Sequence, residues 1–142
     1  MKKLLIPLIV VLIWGCNSSQ ITQASKQNIR PGVPSAPAYR QYSIEILRKS
    51  AQLAQIDSVI VRDGQTCYNV GFSLVKSGSS MQLQKMDSEG TYLIEASMRK
   101  EQIASERSCD SSEEKVILYL TENGKAKTFE VDSFKIEDIN RR

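Results

Sequence analysis

The stretch Tyr68-Asn69-Val70-Gly71-Phe72-Ser73-Leu74 decides the fold class of this chain of 142 residues. Apolar side chains stand at every second position, and small or polar side chains stand between them. A period of two is typical of a β-strand with one buried face. The same alternation returns in Tyr92-Leu93-Ile94-Glu95-Ala96-Ser97-Met98, so we expect both stretches to contribute their apolar positions to one core.

Further short strands are predicted on both sides of this pair. Apolar or β-branched patterns mark residues 42–46, 57–61, 81–84, 116–120 and 129–136. Turn signals separate most of these segments, including Asn123-Gly124, the preferred residue pair of a type I′ hairpin turn. About seven short strands in this arrangement predict an all-β, immunoglobulin-like antiparallel sandwich.

The start of the predicted sandwich can be read in two ways. Residues 40–54 place four apolar side chains at helical spacing, namely Ile44, Leu47, Ala51 and Ala54. The alternation over residues 42–46 indicates a strand instead, and we favour a strand through about Leu47.

One segment is apolar on both of its predicted faces. Val116-Ile117-Leu118-Tyr119-Leu120 must therefore lie inside a sheet or be covered by a loop, for which the polar stretch Arg99–Glu114 is the natural candidate. A core of this size fills the space between two sheets, so ligands are expected to meet loops or a sheet edge.

The N-terminal segment carries a processing signal. Met1-Lys2-Lys3 is followed by 11 apolar residues, too few for a membrane-spanning helix, and the segment ends in Ile13-Trp14-Gly15-Cys16. These residues resemble the lipobox of bacterial lipoproteins, although Trp14 departs from the usual choice at its position. The resemblance implies that residues 1–15 are a signal peptide that is removed, and that acyl chains such as palmitate anchor Cys16 in a lipid bilayer. A soluble secretory signal and a buried core helix are the alternatives.

The segment between the lipobox and the strands is rich in polar residues and proline. Residues 16–38 show no apolar period, and three of the four prolines lie there. We interpret them as the lipidated cysteine and a flexible tether of roughly 25 Å, followed by the β-sandwich domain at residues 39–142. Position 17 is not aspartate and no acidic cluster follows Cys16, which favours the periplasmic face of the outer membrane.

Composition excludes several function classes. The chain has no histidine, so it lacks Ser-His-Asp triads and histidine-ligated metal sites. Loss of Lys2 and Lys3 leaves 17 basic and 16 acidic residues, and a net charge of +1 gives no electrostatic footprint for nucleic acid. No phosphate-binding loop or nucleophile elbow is present either. We therefore expect no enzyme activity and no cofactor.

Two cysteines, Cys67 and Cys109, remain once Cys16 carries lipid. In an oxidising compartment we expect a disulfide bond between them. Closing a loop of about 42 residues would stabilise the fold by about 4 kcal/mol. The alternative is a pair of free thiols in a redox or metal site.

Two further groups of residues carry side chains that could bind a metal ion. The stretch Arg99–Glu114 holds five carboxylates that could bind Ca²⁺, at Glu101, Glu106, Asp110, Glu113 and Glu114. Three methionines could bind copper(I), namely Met81, Met86 and Met98. We favour a solvated loop for the first group. For the second we favour core packing, because Met81 and Met98 are in phase with core positions, so no metal site is expected.

A second resemblance concerns the domain. Residues 56–64 and 114–134, read together, are similar to small uncharacterised lipoproteins of Gram-negative bacteria that carry one β domain behind a lipobox. That resemblance implies a fold and an envelope location, but no activity. We expect a membrane-anchored domain that binds or scaffolds an envelope protein. A small enzyme or inhibitor with a carboxylate site, and a metal or redox carrier, are the alternatives.

Overall fold

The computed structural model describes residues 19–99, 105–108 and 113–137 and folds them into two five-stranded sheets with no helix among them. The first sheet has the order β10-β1-β2-β6-β5 and the second has the order β7-β4-β3-β8-β9. The strands are β1 (Ser19–Ile29), β2 (Tyr39–Arg48), β3 (Ala54–Asp63), β4 (Thr66–Val70), β5 (Phe72–Lys76), β6 (Gly90–Met98), β7 (Ser105–Ser108), β8 (Lys115–Glu122), β9 (Lys125–Val131) and β10 (Lys135–Glu137). The predicted all-β sandwich is confirmed, while the immunoglobulin-like connectivity stays a prediction.

The two sheets bury one shared core. Strands β2 and β6 contribute their alternate residues from the first sheet, and β3 and β8 contribute theirs from the second. The fully buried side chains of this core include Tyr42, Ile44, Ile46, Val59, Val61, Tyr92, Ile94, Val116, Leu118 and Leu120. The predicted period of two therefore identified the inward face of both sheets.

The interpretation of residues 16–38 as a flexible tether is wrong for residues 19–29. These residues form β1, which pairs antiparallel with β2 along its length and in parallel with the short β10. Ile21 and Ala24 pack against the core, and Ile29 is buried. Paired backbone groups stabilise this polar strand where its side chains bury little apolar area, so the folded domain includes Ser19 and does not begin at Tyr39.

The alternating segment at residues 68–74 belongs to two strands, β4 and β5, rather than to one. β4 pairs with β3 in the second sheet, whereas β5 pairs with β6 in the first. The chain crosses between the sheets at Gly71, where an added side chain would meet no atom within 4 Å. Val70 and Leu74 on either side of the crossing are both buried, so the alternation continues through it.

Strand β8 lies inside the second sheet between β3 and β9, as its two apolar faces predicted. Val116, Leu118 and Leu120 enter the shared core. On the opposite face, Ile117 joins a separate buried cluster with Ile60 and Cys67.

Two other sequence interpretations are settled by the structure. Residues 39–48 are strand, which confirms the reading favoured over a helix. The assignment of Met81 to the core is wrong, because its side chain is 68 % exposed. Residues 77–89 form turns and isolated bridges in place of the predicted strand at 81–84. Of Met81, Met86 and Met98, only Met86 is fully buried.

Candidate functional site

A polar network connects the two sheets at the end of the sandwich where β2 begins. Lys26, Arg40 and Tyr42 belong to the first sheet, and Asp63 and Glu114 lie at the corresponding end of the second. We call these five residues the Tyr42 network. Tyr42 is the buried member, and the ring of Phe134 packs against its own with centroids 5.3 Å apart.

Glu114 is the acceptor at the centre of this network. The Tyr42 hydroxyl donates to Glu114 Oε1 at 2.6 Å, and Lys26 Nζ donates to Glu114 Oε2 at 2.8 Å. Arg40 Nη1 lies 3.4 Å from both Glu114 Oε1 and Asp63 Oδ2, and it donates to the Tyr42 hydroxyl at 3.3 Å. Both oxygens of the Glu114 carboxylate are therefore held by donors from the opposite sheet.

The surroundings keep the Tyr42 hydroxyl protonated and the Glu114 carboxylate ionised at neutral pH. Burial raises the pKa of Tyr42, and the hydrogen bond to Glu114 raises it further, so this hydroxyl remains a donor. Burial acts to raise the pKa of Glu114, but the hydrogen bonds from Lys26 and Tyr42 outweigh it and lower that pKa. A catalytic acid or base needs a pKa near the working pH, so these shifts fit a cross-sheet link better than proton transfer.

Replacing Glu114 by Gln is expected to lower the free energy of unfolding by about 1–2 kcal/mol at pH 7, because a partly exposed, charge-assisted hydrogen-bond centre is lost. The folded pKa of Glu114 lies below its ordinary value of 4.5, so its stabilising contribution is present above that pH and is lost as the pH falls through the folded pKa. Urea denaturation at several pH values should show a shallower acid loss in E114Q than in the parent. An equal acid loss in both proteins would contradict this prediction; Glu89→Gln, an exposed carboxylate, is the control.

A second network connects the sheets at the opposite end of the sandwich. Arg48, the last residue of β2, is 1 % exposed, and its Nη1 lies 3.2 Å from Oε1 of the buried Glu122 at the end of β8. Arg48 also donates to Ser19 Oγ at 2.7 Å and to the carbonyl oxygen of Gln52. Lys127 Nζ approaches the other Glu122 oxygen at 2.9 Å. We call these five residues the Arg48 network.

The site residues named from the sequence are placed only in part. Cys16 and Cys109 lie outside the described residues. Cys67 is 6 % exposed and has an interaction partner in the structure. The register of β4 with β7 sets Cys67 opposite Arg107, two positions before Cys109. The disulfide bond between Cys67 and Cys109 stays a prediction.

That disulfide is expected to leave neither thiol available in protein isolated directly from the cells that make it. Alkylation without reductant, followed by measurement of the intact mass, should add no label at Cys67 or Cys109. Reduction under denaturing conditions before alkylation should add both labels and serves as the control. Two labels without reduction would refute the bond.

The candidate metal ligands do not assemble into a site within the described residues. Those residues contain no group of three or more Cys, Asp or Glu able to hold a metal ion. Glu114 belongs to the Tyr42 network, and Glu113 is exposed but has a partner. Glu101 and Asp110 lie outside the described residues, as does the side chain of Glu106. Arg99, at the edge of the same stretch, stacks over the ring of Tyr39 at 3.9 Å.

Sequence reasoning missed both networks, although one of them left a signal. Arg48 continues the inward alternation of β2, and Glu122 continues that of β8. A charged residue in a core position needs a partner, so each could have been identified as half of a buried pair. Tyr42 gave no such signal, because an inward tyrosine is an ordinary core residue.

Two open depressions lie on the surface of the described residues outside the networks. One lies along β5 and β6 and is lined by Gly71, Phe72, Ser73, Glu95, Ser97 and Arg99. Another lies beside the β8–β9 turn and is lined by Leu53, Gln55, Thr121, Asn123 and Gly124.

Among residues 19–99, 105–108 and 113–137 there is no helix with the length and apolarity needed to cross a membrane. Comparison of the chain with protein-family models, curated proteins and solved structures gave no match.

Proposed function

We propose that this protein is a lipoprotein of the bacterial envelope, held by acyl chains on Cys16, whose β-sandwich binds or scaffolds an envelope protein. The observation that carries the proposal is the position of β1. The first described strand begins at Ser19, three residues after the lipobox cysteine. Cleavage before Cys16 would therefore remove the apolar segment and leave every described strand in place.

A binding role is favoured over catalysis by the chemistry of the two networks. Each joins donors on one sheet to carboxylates on the other, so their polar atoms are used to hold the sheets together. The core between the sheets is filled with side chains, which leaves the sheet faces, edges and turns as the surfaces that a partner can reach. We place this domain in the periplasm, anchored to the outer membrane.

Replacing Cys16 by Ser is expected to abolish acylation and release the domain from the membrane fraction, because the acyl chains supply the anchor. Fractionation of the cells, followed by intact-mass measurement of the protein, checks both effects. Cys67→Ser is a matched control that should keep the lipid. Membrane retention of a Cys16→Ser chain cleaved at its normal site would contradict the proposal.

The binding role is tested by crosslinking in the native cells followed by mass spectrometry. We expect a discrete envelope protein to be linked to the sheet faces or turns of the sandwich. Comparison with the released Cys16→Ser chain separates partners that need the membrane location from those that do not. Recovery of the domain with no protein linked to it would count against a scaffolding role.

A further inference from the structure

We propose that the sandwich sits directly on an anionic lipid bilayer, with the end that contains Ser19 facing the membrane. This inference rests on the proposed acylation of Cys16 and adds an orientation and a contact surface to it. We call this end the anchor end. It is the end at which β1, β3, β6 and β9 begin and at which β2, β5 and β8 finish.

The length of chain between the acylated residue and the first strand sets the orientation. Two residues lie between Cys16 and Ser19, and the three Cα–Cα steps from Cys16 to Ser19 span at most about 11 Å when fully extended. The strand β2 that runs away from this end has 10 residues and is roughly 33 Å long. The connection is too short for the domain to turn its far end toward the bilayer, so the anchor end must be the one beside it.

Both sheets reach the membrane together because they are linked at the anchor end. The Arg48–Glu122 ion pair joins the last residue of β2 to the last residue of β8. The amide of Asn123 in the β8–β9 turn donates to the carbonyl oxygen of Leu53 at 3.1 Å. The segment before β3 and the β8–β9 turn are therefore joined beside Ser19.

The anchor end carries side chains that suit a lipid surface. Leu53 is 49 % exposed there, and Met81, in the segment that follows β5, is 68 % exposed. Three lysines at this end are exposed as well, namely Lys49, Lys85 and Lys125. Apolar side chains can enter the headgroup region while lysines meet anionic headgroups.

The anchor end carries a small positive net charge. It holds six basic residues (Arg48, Lys49, Lys76, Lys85, Lys125 and Lys127) and five acidic ones (Glu45, Asp57, Asp87, Glu89 and Glu122), a net charge of +1. The other ionisable residues of the described chain carry a net charge of zero. An anionic surface therefore attracts the end that the short connection already places against it.

Single tryptophans provide a direct test, because Trp14 is the only tryptophan and is lost with the signal peptide. Leu53→Trp reports on the anchor end. Val33→Trp, in the loop between β1 and β2 at the far end, is the matched control, since Val33 is 59 % exposed. Each acylated protein is reconstituted in vesicles of phosphatidylethanolamine and phosphatidylglycerol in equal amounts. Tryptophan emission is then measured with brominated acyl chains and with aqueous acrylamide.

The proposal expects brominated lipid to quench Leu53→Trp strongly and to leave Val33→Trp unchanged. Aqueous acrylamide should quench Val33→Trp more strongly than Leu53→Trp. Met81→Trp is a second probe at the anchor end and should follow Leu53→Trp. Equal quenching at both ends of an acylated protein would overturn the orientation while leaving the anchor intact. An unmodified Cys16 in the intact mass of the same sample would overturn the anchor, and the orientation with it.

The electrostatic part is tested in the Leu53→Trp background. Two states of the anchored domain are compared, one in contact with the bilayer and one held away from it. Lys49→Gln is expected to shift the equilibrium about fivefold away from the contacting state, which is the effect of losing one lysine at an anionic surface. Arg30→Gln, an exposed charge beside the far-end loop, should leave it unchanged. Equal quenching of Leu53→Trp by brominated lipid in pure phosphatidylcholine vesicles would overturn the requirement for anionic lipid.

Discussion

The Glu122→Gln protein is expected to lose about 3–5 kcal/mol of unfolding free energy, which is a large part of the stability of a domain of this size. The change leaves the positive charge of Arg48 buried at 1 % exposure without the carboxylate that it faces at 3.2 Å. Desolvation of an unpaired charge is costly, and the remaining acceptors, Ser19 Oγ and the Gln52 carbonyl oxygen, are neutral. Urea denaturation of both proteins at pH 7 measures the loss.

A surface ion pair supplies the matched control for this substitution. Lys115 Nζ lies 3.0 Å from Glu130 Oε2 on neighbouring strands, but the Glu130 side chain is more than half exposed. Glu130→Gln removes the same charge by the same chemical change and should cost less than about 1 kcal/mol. Similar losses in Glu122→Gln and Glu130→Gln would contradict a buried, stabilising role for the Arg48 network.

Replacing both partners separates the cost of an orphaned charge from the value of the pair. The Nε–H of Arg48 has no hydrogen-bond partner among the described residues, so the guanidinium is only partly satisfied even in the parent. In the double variant Arg48→Met with Glu122→Leu no buried charge is left alone. We therefore expect it to recover most of the stability that Glu122→Gln loses.

The alternation of side chains carried most of the information about the fold, and its failures have physical causes. It identified the inward residues of β2, β6 and β8, because each of these strands has one continuous apolar face or two. The alternation could not show that the chain passes from one sheet to the other at Gly71. The inward residues before and after Gly71 pack into the same core, so the period of two is unbroken. Strand membership depends on backbone pairing, which the side-chain period does not report.

The networks were less accessible to sequence reasoning than the core. Arg48 and Glu122 each stand out as a charge in an inward position, but nothing in either strand indicates which residue it meets. Their contact depends on how the two sheets are aligned. The Tyr42 network was harder still to predict. Its central acceptor, Glu114, is one of five carboxylates in a stretch whose sequence predicts a solvated loop, and nothing distinguishes it from the other four.

Strand β1 was missed because its side chains give no periodic signal. The segment Ser-Gln-Ile-Thr-Gln-Ala-Ser-Lys-Gln-Asn-Ile contains only three apolar residues. Its place in the sheet is secured by ten residue pairs with β2 and by three with β10. Backbone hydrogen bonds of this kind are available to any sequence without proline, so composition could not distinguish this strand from a tether.

The position of β1 leads to the prediction with the most severe expected effect. A chain that begins at Tyr39, the domain boundary indicated by composition, should lose the cooperative unfolding transition. Without β1 the long edge of β2 is unpaired and β10 has no neighbour in the first sheet. The Arg48 network also loses Ser19, and the Tyr42 network loses Lys26 from Glu114.

These losses act together against a stability of about 5–15 kcal/mol, the usual range for a domain of this size. Circular dichroism during heating, together with amide hydrogen exchange, should show an unfolded or loosely collapsed chain. The matched control begins at Ser19 and keeps β1, and it should unfold cooperatively. A sharp transition in the Tyr39 chain at a midpoint close to that of the control would show that β1 is an appendage. In that case residues 19–38 could act as a spacer after all, and the orientation that we propose for the domain on a bilayer would lose its basis.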